Sequence, residues 1–452
     1  MNTQGPISAP RRSRQPRRPW RSTAALGAAL TLVTCTTAAG TAAHAGVTTP
    51  TTATTLSRPA SGPLSAPAAL QAALDRLVAD GVPGVIAFGR QGSRVHRVTS
   101  GVRELRTGAP IRAGDRFRIG SITKSFVSTV LLQLVGEHRL RLDDTVERWL
   151  PGTVPNGTSI IVRQLLNHTS GLYDYSKDAR LIEPYWHDRG YYWAPRDLID
   201  LADSHPPLFP PGASWSYSNT NYVLLGLIIE AVTGHRASDE VERRVIKPLQ
   251  LRDTSFPLRD PRIAGPHTHG YLTNLPPDSG VPGGVLDTTT LSPSIFWTAG
   301  GMVSTATDLA RFHQALFTGR LLRPAQQREL KSLVPGTGYG MGVARWDTPC
   351  GTAWGHNGSF PGYYSVSLTS PDGSRQAVIA LNTDRILSDQ AYADLDAALS
   401  TAFCGQAPAP GRRSRIRAAD AGAGPPELQG RPSGLRRWSA QPASPDDHAA
   451  KP

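Results

Sequence analysis

The sequence predicts an α+β fold, in which an antiparallel sheet is flanked by helices and carries an inserted all-helical subdomain. Strand-like segments lie near the start of the apolar part of the chain, at residues 85–88 and 95–102, and again near its end, at residues 352–356, 363–369 and 376–381. The middle third instead has apolar residues at helical spacing, separated by long loops. A chain that takes strands from both ends and helices from its middle is typical of this fold class.

Apolar spacing and turn-forming residues predict where each helix and strand begins and ends. Residues 67–80 predict a helix, because leucines recur at helical spacing, Pro67 suits the first turn and Gly81 follows the last. Turn-forming residues at 91–93 separate the first two strands, and those at 371–373 separate the last two. Further helices are predicted at residues 162–166, 195–202, 221–232 and 387–403.

The first 45 residues have the features of an export signal. An arginine-rich stretch precedes a short apolar segment, and Ala43-His44-Ala45 matches a cleavage site. We therefore predict a secreted protein that is cleaved after Ala45. We expect no stable membrane anchor, because the apolar segment is too short to span a bilayer. A twin-arginine route through Arg17-Arg18 and a lipoprotein at Cys35 are weaker alternatives.

Composition divides the rest of the chain. Residues 46–65 consist mostly of Thr, Pro, Ala and Ser, and predict a disordered spacer. Residues 405–452 are rich in Pro, Arg, Gly and Ala, and predict a disordered tail. The folded domain is therefore expected at residues 66–404, and it contains no internal repeat that we can detect.

The net charge of +13 lies mainly outside this domain. Six positive charges fall in residues 1–45 and a net four in residues 405–452, which leaves three for the rest. Because residues 46–404 are so close to neutral, their charge gives no electrostatic reason to expect a nucleic-acid partner.

Two cysteines, Cys350 and Cys404, remain after the predicted cleavage. An even number of cysteines in an exported protein predicts a disulfide, which here would tie the last helix to the sheet. Two free buried thiols are the alternative.

The segment Ser121-Ile122-Thr123-Lys124 is the first candidate for catalysis. It opens an apolar helical run, and residues three apart on a helix share one face. A serine hydroxyl becomes a good nucleophile when a neighbouring base takes its proton, and lysine can be that base if burial lowers its pKa. The chain has only five lysines among 48 basic residues. Lysine rather than arginine at position 124 therefore favours a role as a base, which arginine cannot fill because it stays protonated. The alternative is that Ser121 simply caps the helix.

Two further segments add polar groups. Tyr217-Ser218-Asn219 lies on a loop that leads into a helix, so Tyr217 could act as a base beside a lysine and Asn219 could orient a carbonyl. His356-Asn357-Gly358 closes a predicted strand, and Gly358 would allow another backbone to come close. His356 could shuttle a proton or hold a carboxylate of the substrate. A core tyrosine with a capping asparagine, and a surface histidine beside a turn, are the respective structural alternatives.

Together these three segments resemble the penicillin-recognising serine hydrolases, most closely the serine D-alanyl-D-alanine carboxypeptidases grouped with class C β-lactamases. The resemblance covers roughly residues 66–404 and implies a β-lactamase/transpeptidase-like fold. It extends to three other motifs, which are LLNHTSGL at 165–172, NTNY at 219–222 and FPGYY at 360–364.

The resemblance implies a role for each motif residue. Ser121 is expected to be acylated, Lys124 to take its proton, Tyr217 to pass a proton to the leaving nitrogen, and Asn219 to hold the amide on the acyl side. The backbone N–H groups of Ser121 and Ser359 are expected to form the oxyanion hole.

The third motif departs from the family pattern. Histidine at position 356 resembles the carboxypeptidases rather than the β-lactamases, which carry lysine there. Asn357 stands where threonine is usual, before Gly358. Arg345 matches only in part the run of arginines that binds a substrate carboxylate, and as a strand neighbour it could point away. His168 is expected to be structural.

We therefore predict a serine hydrolase that acts through an acyl-enzyme, as a D-Ala-D-Ala carboxypeptidase with a transpeptidase activity also open. The alternatives are an esterase, a β-lactamase, a D-amino-acid amidase, or a penicillin-binding sensor without turnover. Expected partners are peptide or ester substrates and β-lactams as covalent inhibitors, and the protein is expected to be a monomer. No cofactor or metal is expected, since the pair His267 and His269 lacks a carboxylate or cysteine at ligand spacing in the sequence.

Overall fold

An antiparallel sheet organises the structure, which is a computed structural model describing residues 65–275, 279, 281–384, 388–406 and 417–418. The predicted signal peptide, nearly all of the predicted spacer and most of the predicted tail lie outside the described residues. Among the helices described, none has the length and apolar character of a membrane span.

The strands of the described residues pair in one large sheet and two small ones. They are β1 (Gly84–Gln91), β2 (Arg94–Glu104), β3 (Ala109–Pro110), β4 (Phe117–Arg118), β5 (Tyr271–Leu272), β6 (Leu286–Asp287), β7 (Val303–Ser304), β8 (Ala344–Thr348), β9 (Gly351–Phe360), β10 (Tyr363–Thr369), β11 (Arg375–Leu381) and β12 (Arg417–Ala418). The large sheet has the order β12-β8-β9-β10-β11-β1-β2-β3, with all neighbours antiparallel.

Among the described residues, helices lie at both ends of the folded domain and in the insertion between them. They are α1 (Ala66–Ala79), α2 (Thr123–Gly136), α3 (Val146–Trp149), α4 (Val162–Leu166), α5 (Pro195–Asp203), α6 (Asn219–Thr233), α7 (Ala237–Val241), α8 (Lys247–Leu249), α9 (Trp297–Gly300), α10 (Ala306–Phe317), α11 (Pro324–Leu330) and α12 (Asp389–Cys404).

Both faces of the large sheet are covered, which explains the unbroken apolar run of β1. Side chains alternate between the two faces of a strand. Val85 and Ala87 pack with α1 and α12 in one apolar cluster, while Ile86 and Phe88 belong to a second cluster that includes the helices of the insertion. The predicted α+β architecture is therefore confirmed.

The chain leaves the large sheet after β3 and returns to it at β8. This interval holds the predicted helical subdomain, but it is not all-helical as predicted, because the short strands β4 to β7 pair there in two small sheets. Its central helix, α2, has 12 of its 14 residues buried. A helix that is buried all round lies in the core rather than on the surface. Lys124 in its first turn is therefore removed from water.

Two element bounds near the motifs differ from the predictions. Strand β9 continues beyond His356 to Phe360, because β10 goes on pairing with it after β8 has ended its pairing at Gly355. The third motif thus lies within a strand that has β10 on one side only. Helix α6 begins at Asn219 rather than at residue 221.

The predicted cysteine pair is joined in the structure, with Cys404 at the end of α12 and Cys350 in the turn before β9. Within the predicted tail, Arg417–Ala418 forms a short strand that pairs with β8. The exposed polar groups of an edge strand favour the addition of such a strand.

Candidate active site

Ser121 and Lys124 lie at the start of the buried helix, within bonding distance of each other. Ser121 belongs to a 3₁₀ turn, Gly120–Ile122, that leads directly into α2. The Lys124 Nζ lies 3.0 Å from the Ser121 Oγ, 2.7 Å from the Asn219 Oδ1 and 2.7 Å from the carbonyl oxygen of Ala299. Ser121 remains partly exposed while Lys124 is fully buried, so a substrate can reach the hydroxyl but not the amine.

The surroundings of Lys124 suit a neutral amine. Burial lowers its pKa from the usual value to about 7, and the negative charge of Asp174 opposes this shift. A neutral amine has two N–H donors and one lone pair. The Asn219 and Ala299 oxygens can take the two donors, which leaves the lone pair for the proton of Ser121. The geometry is that of a nucleophile with its base.

Asp174 is a site residue that the sequence analysis missed. It is buried, and its carboxylate accepts hydrogen bonds from the backbone N–H of Asn219 at 3.1 Å and from the Asn219 Nδ2 at 3.2 Å. These bonds orient the Asn219 amide so that its oxygen faces Lys124. No local pattern marks Asp174, because its partners lie 45 residues away in the sequence.

Replacing Asp174 with asparagine should move the acidic limb of the kcat/KM–pH profile to lower pH. The wild-type limb should lie near pH 7, since Lys124 must be unprotonated to act. Asp174 raises the pKa of Lys124, so removal of its charge lowers that pKa further. Asparagine still offers an oxygen to Asn219. The change Asp239→Asn on the exposed surface is the control, and a limb that stays in place or moves to higher pH would contradict the assignment.

Tyr217 lies beside this pair. Its ring centroid is 4.9 Å from the Lys124 Nζ, and its hydroxyl has no hydrogen-bond partner among the described residues. Burial raises the pKa of Tyr217 well above its usual value. The expectation that a neighbouring ammonium makes this phenol a base is therefore wrong for the resting site, because burial dominates and Lys124 is itself only partly charged. A neutral phenol is suited to donate and relay a proton.

The predicted oxyanion segments touch each other. A Cβ added to Gly358 would overlap the carbonyl of Ile119 and lie 3.0 Å from the Ser121 nitrogen. A Cβ added to Gly120 would lie 2.6 Å from the Ser359 nitrogen. Glycine at both positions therefore allows β9 to lie directly against the turn that carries Ser121. The N–H groups of Ser121 and Ser359 belong to these two segments, as an oxyanion hole requires.

The structure does not support the roles that the sequence suggested for His356 as a proton shuttle or a carboxylate-binding group. It is buried, its Nε2 lies 2.9 Å from the Tyr339 hydroxyl, and its Nδ1 bonds the carbonyl of Asn357. Burial lowers its pKa to about 3, so the ring is neutral. A neutral ring with both nitrogens occupied cannot hold a carboxylate, and its contacts indicate a structural contribution to β9.

The two other predicted binding residues are Asn357 and Arg345. The Asn357 side chain is buried, and its Nδ2 lies 3.5 Å from the Tyr364 hydroxyl. The Arg345 side chain is 45% exposed and forms an ion pair with Asp347 at 3.2 Å. Its described hydrogen bonds reach none of the catalytic side chains, so the structure does not bring Arg345 to the site.

His168 is buried behind Tyr217, with their ring centroids 4.3 Å apart, which agrees with the structural role expected for it.

His267 and His269 lie together, and the His269 Nδ1 is 2.7 Å from the Asp287 carboxylate, a neighbour that sequence spacing had not suggested. Within the part of the chain that the structure describes, no group of three or more potential ligands could hold a metal ion.

Buried neutral histidines should make the fold sensitive to acid. Burial lowers the pKa of His313 to about 3. The unfolded chain takes up a proton near pH 6.5 and the folded chain only near pH 3, so stability falls as the pH falls through this window. In His313→Gln, urea unfolding from pH 7 to 4 should show a slope of the unfolding free energy against pH that is smaller by about 1.4 kcal/mol per pH unit. The exposed change His235→Gln is the control, and an unchanged slope in His313→Gln would contradict this account.

Comparisons with known proteins agree with the site. The sequence model of the Beta-lactamase family matches residues 70–401. The structure is similar to that of a D-stereospecific amidohydrolase from Streptomyces sp., with 41% sequence identity and a TM-score of 0.68 over 75% of this chain and 99% of that one.

Two further relatives come from other genera. A D-amino acid amidase from Ochrobactrum anthropi, solved in complex with D-phenylalanine, is 30% identical with a TM-score of 0.67, over 74% of this chain and 98% of that one. Penicillin-binding protein 4* from Bacillus subtilis is 27% identical over 67% of this chain and 68% of its own length. The family model matches most of the length of this chain, and the family's serine and lysine lie within hydrogen-bonding distance of each other. The chain therefore belongs to the β-lactamase family of penicillin-recognising serine hydrolases.

Proposed function

We propose that the protein hydrolyses amide bonds whose acyl side is a D-amino acid, through an acyl-enzyme on Ser121. The observation that supports acyl transfer is the short contact between Ser121 and a buried Lys124 whose pKa is about 7. The preference for D-amino-acid amides comes from the similarity to the D-stereospecific amidohydrolase, which extends over 99% of that protein.

Acylation follows from the placement of the groups. The Ser121 Oγ attacks the carbonyl carbon while the Lys124 Nζ takes the hydroxyl proton. The carbonyl oxygen becomes an oxyanion, which accepts hydrogen bonds from the N–H groups of Ser121 and Ser359. When this intermediate collapses, the C–N bond breaks and the amine takes a proton from the Tyr217 hydroxyl, which Lys124 then replaces.

Deacylation runs the same proton path in reverse. A water molecule attacks the ester carbon, and its proton passes through Tyr217 to the neutral Lys124. The ester C–O bond then breaks, Ser121 recovers its proton, and the free acid leaves. An amine in place of water would give transfer instead of hydrolysis.

A D-Ala-D-Ala carboxypeptidase is the second candidate. Histidine at position 356 and the similarity to a penicillin-binding protein favour it. The position of Arg345 does not, because a carboxypeptidase must bind a free carboxylate and Arg345 is paired with Asp347 on the surface. β-Lactams are expected to acylate Ser121 in either case. We also propose that the protein is secreted and monomeric.

Steady-state rates on matched substrates test the proposal. The set comprises D- and L-phenylalanine amide, a peptide ending in D-Ala-D-Ala, a short-chain nitrophenyl ester and a cephalosporin. We expect kcat/KM for D-phenylalanine amide to exceed that for its L isomer and for the peptide. A higher value for the peptide would favour the carboxypeptidase, and the ester or cephalosporin as best substrate would favour an esterase or β-lactamase. A penicillin adduct that persists for hours, without turnover of any substrate, would identify a sensor.

A further inference from the structure

A series of hydrogen-bonded, buried side chains links the Tyr217–Asn219 segment of the active site to strand β9. His168, Tyr339 and His356 are each at most 1% exposed. The Tyr339 hydroxyl lies 3.3 Å from the His168 Nε2 and 2.9 Å from the His356 Nε2. None of these three side chains has a role in the reaction described above.

The backbone groups at the two ends of this hydrogen-bonded series fix the direction of the bonds between its three side chains. The backbone N–H of Ser218 can only donate, and it does so to the His168 Nδ1 at 3.2 Å. The proton of this neutral ring is therefore on Nε2, which donates to the Tyr339 hydroxyl. At the other end, the Asn357 carbonyl can only accept, so the His356 Nδ1 carries the proton and its Nε2 accepts from Tyr339. Burial lowers the pKa of both histidines, which keeps both rings neutral.

The two ends of this hydrogen-bonded series, the Ser218 N–H and the Asn357 carbonyl, belong to different catalytic segments. Ser218 stands between Tyr217 and Asn219, the residues that face Lys124. Asn357 lies two residues before Ser359 on β9. Residues two apart on a strand direct their backbone N–H and C=O groups to the same side. The Ser359 backbone lies against Gly120, so the Asn357 carbonyl is on this same open edge of β9, beyond the end of β8.

We propose that Tyr339 is a positioning residue, which sets the oxyanion segment of β9 at its working distance from the Tyr217–Asn219 segment through His168 and His356. The proposal rests on acyl transfer at Ser121 as the function, and it adds a residue outside the three motifs. Tyr339 itself is held by a bridge to Ala344 and by a hydrogen bond from the backbone N–H of Val334 to its carbonyl. Its hydroxyl is therefore a fixed point between the two segments.

Loss of this hydroxyl removes both central bonds at once. In Tyr339→Phe, the His168 N–H loses its acceptor and the His356 Nε2 loses its donor, in a region without access to water. The ring keeps its packing, so the change acts mainly on the placement of β9. Small misplacements of reacting groups cost about 100-fold in rate.

The test is the pre-steady-state burst of p-nitrophenyl acetate, which requires the nucleophile and the oxyanion hole but no D-amino acid. We expect the acylation rate of Tyr339→Phe to fall by about 10- to 100-fold per labelled active site, with little change in the dissociation constant of the ester. A boronic acid that forms a tetrahedral adduct on Ser121 should bind more weakly by a similar factor. A purely structural role would leave both values per active site unchanged.

Two other variants sharpen the result. Tyr271→Phe also removes a buried tyrosine hydroxyl, bonded at 2.9 Å to the Leu105 N–H, and it should acylate at the wild-type rate. His168→Asn retains a residue that tolerates the positive φ of 63° at this position but is too short to reach Tyr339. It should slow acylation as Tyr339→Phe does, and the double variant should be little slower than either single one.

Acylation of Tyr339→Phe at the wild-type rate would overturn the proposal, and so would additive effects in the double variant or an equal loss in Tyr271→Phe. Should Tyr339→Phe fail to fold, His168→Asn alone carries the same expectation. A wild-type protein that gives the ester burst but cleaves no D-amino-acid amide would refute the proposed substrate and leave the role of Tyr339 intact.

Discussion

A protein in which Lys124 is replaced by arginine should acylate at least about 10²- to 10⁴-fold more slowly than the wild type. Arginine remains protonated, so it cannot take the proton of Ser121. It is also longer and planar, and cannot reproduce the three contacts at 2.7–3.0 Å that Lys124 makes. The measurement is the burst rate with p-nitrophenyl acetate from pH 6 to 10.

Lys331→Arg provides the matched control. Lys331 is partly buried and, like Lys124, donates to a backbone carbonyl, that of Phe317 at 3.2 Å, but it lies outside the site. Its replacement should leave the burst unchanged. If Lys124→Arg retained most of the wild-type rate, Lys124 would not be the base.

The second large effect is expected from Gly358→Ala, which adds a single methyl group to β9. This methyl group would meet the backbone of Ile119 and Ser121, which cannot move aside as a flexible side chain can. The strand must therefore shift away from the nucleophile, and the two N–H donors of the oxyanion hole separate. We expect acylation to fall by about 100-fold or more, measured per folded protein.

Gly114→Ala is the control for a general effect of alanine in place of glycine. A Cβ at Gly114 would meet no atom within 4 Å, and its φ is not in the left-handed region. This variant should behave as the wild type. Full activity in Gly358→Ala would show that β9 need not lie so close to Ser121, and the assigned oxyanion hole would then be wrong.

The sequence predicted the parts of the site that are local in the chain. Ser121 and Lys124 are one helical turn apart, so their contact follows from helix geometry alone. Tyr217 and Asn219 were recognisable because they share a short segment at a helix start. The strands and helices at both ends of the domain also followed from apolar spacing and turn residues.

Contacts between distant segments could not be predicted in this way. Asp174 and Tyr339 lie in loops without a pattern of their own, and only the fold brings them to Asn219 and to the two histidines. The pKa of Tyr217 depends on burial, which the sequence does not specify. His356 was expected to shuttle a proton or hold a carboxylate, whereas the fold buries it and pairs its two ring nitrogens with Tyr339 and with the carbonyl of Asn357.

The most direct test of the account is to identify the residue that becomes acylated. The protein is mixed with p-nitrophenyl acetate, quenched in acid during the burst, digested, and its peptides are examined by mass spectrometry, with Ser121→Ala treated in parallel. The account predicts one acetyl group per protein, on Ser121, that is absent from Ser121→Ala and accumulates slowly in Lys124→Arg. An acetyl group on another residue, or an undiminished burst in Ser121→Ala, would contradict it.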